Sequence, residues 1–470
     1  MANIKRIKLD EPDLHINDER FHEYALKQIF RCLSFEDKIK CQFVCKKWNL
    51  LITDMLRNEQ SSLIDSRNNQ CDDHKEEFIG NNCVGRDIDL KLLKSILPKV
   101  PNLKCFRIDD KMKLDYIKFL VETCPRLECI SINMKFQRCW DNNKIDAEAR
   151  CYYFEKIGKL LTKVAIKTII IRINEIVNCK WIDLLLKNLT VEKLRIENKN
   201  DYTLYRGKLT SDIKLKEIEF DGGKIALEIF NRNENVTKFK HSRPLRYTYV
   251  DYDSDDSDGY DDEYYIDKVI TTFPNLIDLA MFLPYELDIP KINQLKNLKH
   301  LRKFSLSAKY LSFNVSKFKD TFHNLTELRL DVHYIHSFKN LAYYLPNLQI
   351  LGLIFPSMVD DHSIKLFLIQ KLKDILEEVS KLIELKKFSI DFPNIPKEHS
   401  EVFIEFKCPP KLHQYTICGY NHLNIPLWME FAKKNPKIWF IVKVKNYQGI
   451  YVGNNFVIKS SNSFSFKTNI

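Results

Sequence analysis

The side chains in this sequence whose spacing comes nearest to doing chemistry are a small thiol and imidazole group and a long acidic run. Cys71 and His74 stand three residues apart, with Cys83 nine residues further on. Zinc held in a closed tetrahedral site needs four such ligands, usually as two close pairs, and here a second pair at that distance is missing. The acidic run, "DYDSDDSDGYDDE" at 251–263, holds eight carboxylates. A calcium loop would need Gly259 at its sixth position, which puts Tyr265 where the bidentate glutamate belongs. Such a density of like charge is expected to stay a solvated, unfolded surface loop, with Ser254 and Ser257 open to phosphorylation. Neither H-E-x-x-H nor G-x-S-x-G occurs, and 11 glycines in 470 residues leave little material for phosphate-cradling loops. The sequence thus predicts no catalytic site, no metal and no cofactor.

Charge and composition narrow the classes further. Lysine and arginine number 74 against 63 acidic residues, a net charge of +11. The two signs are interspersed, with no sustained basic stripe, so nucleic acid is not an expected partner. No uncharged run is long enough to span a bilayer, and the amino terminus lacks the apolar stretch of a secretory signal, so no membrane association is expected. The 13 cysteines then read as reduced and mostly buried thiols of an intracellular chain. The segment "KRIKLD" at 5–10 resembles a short nuclear-import signal, although solvated tails often carry such clusters. The expected location is cytoplasmic, nuclear or both.

Positions for interaction come from periodicity. Phe21, Ala25, Leu26, Ile29, Phe30 and Leu33 fall on one face of a helix. Ser34, three residues before Asp37, offers a start for a second helix carrying Ile39, Phe43 and Val44. A third stripe runs through Val44, Trp48, Leu51, Ile52 and Met55. A unit this small has too much surface to bury three apolar faces by itself, so part of the apolar surface is expected to meet a partner.

The residues Ile29, Phe30, Leu33, Asp37, Val44, Cys45, Lys46 and Trp48 together resemble the F-box pattern I-F-x-x-L, D, V-C-[KR]-x-W. The family's Leu-Pro pair falls on Phe21 and His22, so the proline that fixes the first turn is absent. The resemblance implies docking on a Skp-type adaptor and, through it, on cullin and RING subunits. It assigns adaptor contact to Phe21, Leu26, Ile29, Phe30, Leu33, Ile39, Val44, Cys45 and Trp48.

Beyond residue 100 a fragment L-x-x-[apolar]-x-[apolar] recurs, as in "PNLKCFRI", "PRLECISI", "LRKFSL", "NLTELRL" and "PNLQILGL". The starts 103 and 127, 191 and 215, 276 and 301, 301 and 325, and 325 and 348 hold a spacing of 23 to 25 residues. Helical stripes lie between them. One strand and one helix per roughly 24 residues resembles a leucine-rich repeat. The gap before Val191 is expected to hide another strand at "VAIKTIII", and the gap before Leu385 to hold a long helix at "DHSIKLFLIQKLKDILEEVSKLIEL". The Asn or Cys usual in the family's turns is replaced by Lys111, Lys135, Lys309 and His333, so the turns must close differently.

The expected fold class is therefore α/β. A small three-helix F-box at 21–56 follows a flexible tail at 1–20. Residues 57–100 are a linker and cap or first repeat, and 101–445 form a curved leucine-rich-repeat solenoid with the acidic loop 251–263. Residues 446–470 supply covering strands, around the Gly-Asn-Asn of "YVGNNFVIK", and a polar tail. Alternation along each strand puts the residues between the apolar positions on a concave surface of mixed charge with a basic lean. Candidate contacts for an unknown protein substrate there are Lys104, Arg107, Glu128, Lys193, Arg195, Arg302, Lys303, Glu327 and Arg329. The two resemblances together imply a non-catalytic substrate receptor of an SCF-type ubiquitin ligase. A scaffold that binds the adaptor without promoting ubiquitination is the second reading.

Overall fold

A computed structural model describes residues 19–32, 41, 44–58 and most of 94–460, with breaks in the loops, among them 135–143, 222–229, 243–264, 284–292 and 392–401. The zinc-like group at 71–83, the acidic run, Leu33, Ile39 and the turn residues Lys111, Lys135, Lys309 and His333 lie outside the described residues. The expected second helix does too, apart from Cys41 and Val44. The chain divides into two compact units, one essentially of residues 1–128 and the other of the remainder.

In the first unit the amino-terminal stripes fold as helices α1 (Glu19–Cys32) and α2 (Lys46–Asn58), which pack on each other. Leu51, Ile52 and Met55 of α2 are buried, and Leu97 is buried in the 97–99 turn against which α2 rests. Strand β1 (Cys105–Asp109) follows, burying Phe106 and Ile108, and then helix α3 (Leu114–Thr123), whose Ile117, Leu120 and Val121 are spaced to face one way.

The second unit is a long parallel sheet with helices between its strands. Its strands are β2 (Cys129–Met134), β3 (Thr168–Ile173), β4 (Lys193–Asn198), β5 (Glu217–Asp221), β6 (Lys238–Ser242) and β7 (Asp278–Leu283). These continue as β8 (Lys303–Ala308), β9 (Glu327–Asp331), β10 (Ile350–Ile354), β11 (Lys387–Asp391), β12 (Gln414–Tyr420) and β13 (Trp439–Val444). From β2 to β13 they lie side by side in chain order, and the sheet closes with β15 (Phe456–Ser460) and then β14 (Ile450–Val452). The β14 and β15 pair is antiparallel, as the Gly-Asn-Asn sequence requires of a hairpin. Strand β3 occupies the first long gap, and helix α7 (His362–Ser380) the last. Helices α4 (Lys144–Leu161), α5 (Cys179–Leu186), α6 (Tyr265–Thr272) and α8 (Ile425–Lys434) complete the set used below.

Successive strands are locked by a recurring backbone device. The N–H groups of Thr326 and Glu327 both donate to the Arg302 carbonyl, at 2.8 and 3.0 Å. Those of Gln349 and Ile350 converge on Thr326, and those of Lys386 and Lys387 on Gln349, in the same way. The outcome is a common register in which Leu194, Ile218, Phe239, Leu279, Phe304, Leu328, Leu351, Phe388, Tyr415 and Phe440 stand level. All are buried. Each such side chain contributes about 1.5–3 kcal/mol by leaving water. Aromatics take over from leucine towards the carboxyl end, where Phe388 and Tyr415 stack at 5.3 Å with 8° between their planes.

Asparagine side chains close the segments that lead into the strands. Asn275, Asn324 and Asn347 each donate to a carbonyl about one repeat earlier, on Glu234, Lys299 and His323. Asn455 reaches three carbonyls, those of Ala432, Asn435 and Ile438. These are the asparagines of the Pro-Asn and His-Asn dipeptides, except for Asn455 in the final turn.

Helices α4 and α5 pack tightly at Gly158. A Cβ there would stand 2.6 Å from the Leu185 carbonyl oxygen and 3.2 Å from that of Leu184. The gain of about 1 kcal/mol in helix propensity on replacing glycine is therefore outweighed by overpacking against backbone that cannot swing aside. Gly158→Ala is expected to destabilise the fold by about 1–3 kcal/mol, read as a lower urea midpoint at unchanged slope.

Candidate functional site

Two surfaces carry the residues singled out by the sequence. On the helix pair, Phe30 is fully buried and meets Trp48 edge to face, with ring centroids 5.1 Å apart at 72°. Phe30 therefore supports the pair from within. Ile29 (57% exposed) and Val44 (62%) stand in solvent, as does Leu50 (72%), which the F-box pattern did not single out. Leu26 is half-buried, and of Phe21 the helical backbone alone is described. Cys45 does something the pattern does not reveal. Its sulfur accepts the Trp48 N–H at 3.5 Å and its carbonyl that of Asn49, so it caps the first turn of α2, on which Trp48 stands.

On the sheet, the face opposite the buried apolar rows carries polar side chains in register. Lys303 opens β8 on this face. Arg302, like Lys104 and Glu128, stands one residue ahead of its strand, outside the rows formed by Lys193, Arg195, Lys303, Glu327 and Arg329. Arg107 lies within β1 and is half-buried.

The basic lean expected for this face is cancelled by carboxylates that the register sets beside the cations. Along the row nearest the strand starts, Lys193, Glu217, Lys238, Asp278, Lys303 and Glu327 stand level on consecutive strands and alternate in sign throughout. Glu217 is 2.7 Å from Lys193 and 3.2 Å from Lys238, and Lys303 is 3.6 Å from Glu327. One row further, Glu219 stands between Arg195 and Lys240. Glu219 is nearly buried and lies 3.1 Å from Lys240 and 3.0 Å from Lys193. Burial would raise its carboxyl, but Arg195, Lys193 and Lys240 together hold it down at about 2. Arg172 pairs with Glu197, and Glu327 accepts from Arg329 at 2.8 Å. Along the described rows from β4 to β9 the cations thus stand beside carboxylates. The signal was present in the sequence: the second variable position of the six fragments that start at Val191, Leu215, Val236, Leu276, Leu301 and Leu325 reads K, E, K, D, K, E once the repeats are aligned.

Chemistry-bearing clusters are not evident elsewhere. Among the described residues no group of three His, Cys, Asp or Glu side chains is arranged to hold a metal, and no helix is long and apolar enough to cross a membrane. Burial pushes the Cys124 and Cys408 thiols up to about 12, far from the reactive thiolate.

Comparison with known proteins gives the helix pair a family. Residues 19–60 match the F-box domain. No curated protein matches the chain. Among solved structures, a chain in the crystal structure of the Rad7 and Elc1 complex of yeast is similar, at 12% identity over 93% of each chain with a TM-score of 0.36.

The Glu219 cluster generates a stability test. Its folded carboxyl lies below its ordinary value, so its contribution is complete above about pH 4.5 and is lost as pH falls through about 2. Glu219→Gln leaves three cations crowded around a neutral group and should destabilise the chain by about 3 kcal/mol near neutral pH. The gap from wild type, measured by urea unfolding, should shrink steadily as the pH is lowered from about 5 towards 2.

Proposed function

We propose that the chain is the substrate-recognition subunit of an SCF-type ubiquitin ligase. The F-box match at residues 19–60 is the observation that carries this reading. An F-box binds a Skp-type adaptor, and the adaptor would connect the chain to cullin and RING subunits. Ile29, Val44 and Leu50, large apolar side chains exposed on a small helix pair, supply the kind of surface such docking buries.

The long parallel sheet, read as an array of leucine-rich repeats, would hold the target protein on its polar face. The subunit then acts by position, raising the effective concentration of a target near ubiquitin activated by another subunit. No chemistry is asked of its own side chains. Action in the cytoplasm or nucleus fits this role. Binding of the adaptor without ubiquitination of the target is the second reading, and it differs in whether captured partners gain ubiquitin.

The burial of Phe30 directs the choice of test. Phe30→Ala would open the core of the helix pair and lose adaptor binding for a trivial reason, whereas Ile29→Asp with Val44→Asp changes exposed groups alone. The double variant is expected to fold with the wild-type melting temperature yet lose co-purification of a Skp-type adaptor by tenfold or more, on the order of 1.4 kcal/mol or above. Undiminished adaptor capture by this variant would overturn the proposal.

A further inference from the structure

The polar face changes character after β9. Up to that strand carboxylates stand beside the cations, whereas the next four strands bring none to the surface. On β10 to β13 and the residue ahead of each, the single carboxylate among the described residues is Asp391, which is buried. Lys443, level with it two strands away, favours its charged form from within the sheet. The cations left over gather where β11 begins. Lys386 and Lys387 are both exposed; Lys386 donates to the neutral Oε1 of Gln349 at 2.9 Å, and Lys387 makes no ion pair or side-chain hydrogen bond among the described residues. Glu384, just upstream, is already engaged, because Lys411 holds both of its oxygens at 2.6 and 2.8 Å.

Apolar side chains lie on the same row as these charges. Trp439 stands level with Lys387, two strands further on, and is 41% exposed. Its neighbour Phe440 turns into the core, so alternation sends the indole to the polar face. Ile350, level with Lys387 on the other side, is half-buried, as is Ile441, which shares the face of Trp439. An exposed indole bordered by aliphatic groups has the make-up of the centre of a binding patch, and charged side chains have that of its rim.

We propose that the starts of β10 to β13 form the docking surface for an extended acidic segment of the target protein, whose carboxylates meet Lys386 and Lys387 and whose large apolar side chain meets Trp439. The proposal rests on the target-binding role given to the sheet above. Charge complementarity sets the sign of the partner, since a basic segment would face two ammonium groups with no exposed carboxylate beside them. Neighbouring strands lie about 4.8 Å apart, which puts Lys387 and Trp439 about 10 Å apart, the span of some three residues of extended chain. A phosphate backbone fits this surface less well, because the cations are gathered on one strand with Ile350 and Trp439 to either side of them on the row.

The test pans phage-displayed random peptides on the full-length chain and then measures the affinity of the selected peptides by fluorescence anisotropy. Selected peptides should share Asp or Glu and, about two to four residues away, a large apolar residue. Lys387→Glu and Trp439→Ala should each weaken binding about tenfold or more, and added salt should weaken it in the wild type. Lys118→Glu, the same change of charge at an exposed lysine of α3, should leave binding unaltered. Both altered surface residues are exposed, and a wild-type melting temperature for each variant excludes misfolding. On the unaltered chain, Asn and Gln in place of the peptide's Asp and Glu should cost as much as Lys387→Glu. The peptide with lysines there should bind Lys387→Glu better than wild type. Selected peptides without acidic residues, or equal binding to wild type and Lys387→Glu, would overturn this surface while leaving target binding elsewhere on the sheet in place. A synthetic peptide of residues 251–263 that displaces the selected peptides would assign the surface to the chain's own acidic run, and a single-stranded oligonucleotide that does so would assign it to nucleic acid; either overturns the proposal. Failure to select any peptide would overturn it together with target binding by the sheet, whereas adaptor capture through Ile29 and Val44 would be unaffected.

Discussion

Two amides converging on one carbonyl at the start of each strand from β4 to β12 are the constraint on which the second unit depends. Thr326 and Glu327 on Arg302, and Gln349 and Ile350 on Thr326, leave the next strand no freedom to slip by a residue. A slip of one would turn every buried Leu, Ile and Phe outward. With that freedom removed, equivalent positions of successive repeats become neighbours across about 4.8 Å, and each column of the sequence becomes a row in space. Apolar columns then make a continuous core. Charged columns face a harder condition, since like charges directly opposite one another repel. The alternation from Lys193 to Glu327 is how this chain meets it.

The same stacking explains why the face is uneven. Where the row alternates, cations and carboxylates occupy each other, and Glu219 is so well surrounded that it ionises more readily than in water. Past β9 the register continues but alternation stops: Ile350, Lys387, Gln414 and Trp439 succeed one another on the same row. Specificity on a repeat scaffold arises from such local departures, because a common frame is shared by every member while the exposed columns vary. The helix pair of the first unit follows a different economy. With so little interior, it spends Phe30 and Trp48 on holding itself together and leaves Ile29, Val44 and Leu50 outside.

How far the sequence could be read follows from which interactions are local. The 3.6-residue spacing of Ala25, Leu26, Ile29 and Phe30 and the 24-residue return of L-x-x-[apolar]-x-[apolar] are local patterns, and helices α1 and α2 and the strands appear where they place them, to within a few residues. The hidden strand at 168–173 and the helix at 362–380 were legible for the same reason. Which of Ile29 and Phe30 turns inward was not, because it depends on a contact with Trp48 of the other helix. The neutrality of the sheet face is legible only across fragments, since counting lysines along one strand says nothing of the carboxylates on the next. Of the residues between the apolar positions, Lys303 takes its place in the row because it lies within the strand, whereas Arg302 stands one residue ahead of it. Asp391 drew no notice in the sequence because its burial is a property of the assembled sheet.

The alternating row has a consequence for how such a chain can change length. In a repeat array with apolar rows alone, a unit can be lost or duplicated and the seam heals, since leucine stacks on leucine anywhere. Here, removal of the single unit bearing Glu217 would set Lys193 beside Lys238, and removal of the one bearing Lys303 would set Asp278 beside Glu327. Two consecutive units, one of each sign, would leave the parity of the row intact. From Lys193 to Glu327 the protein is thus built of doublets, and the natural unit of insertion or deletion is about 48 residues, twice the period that the backbone obeys.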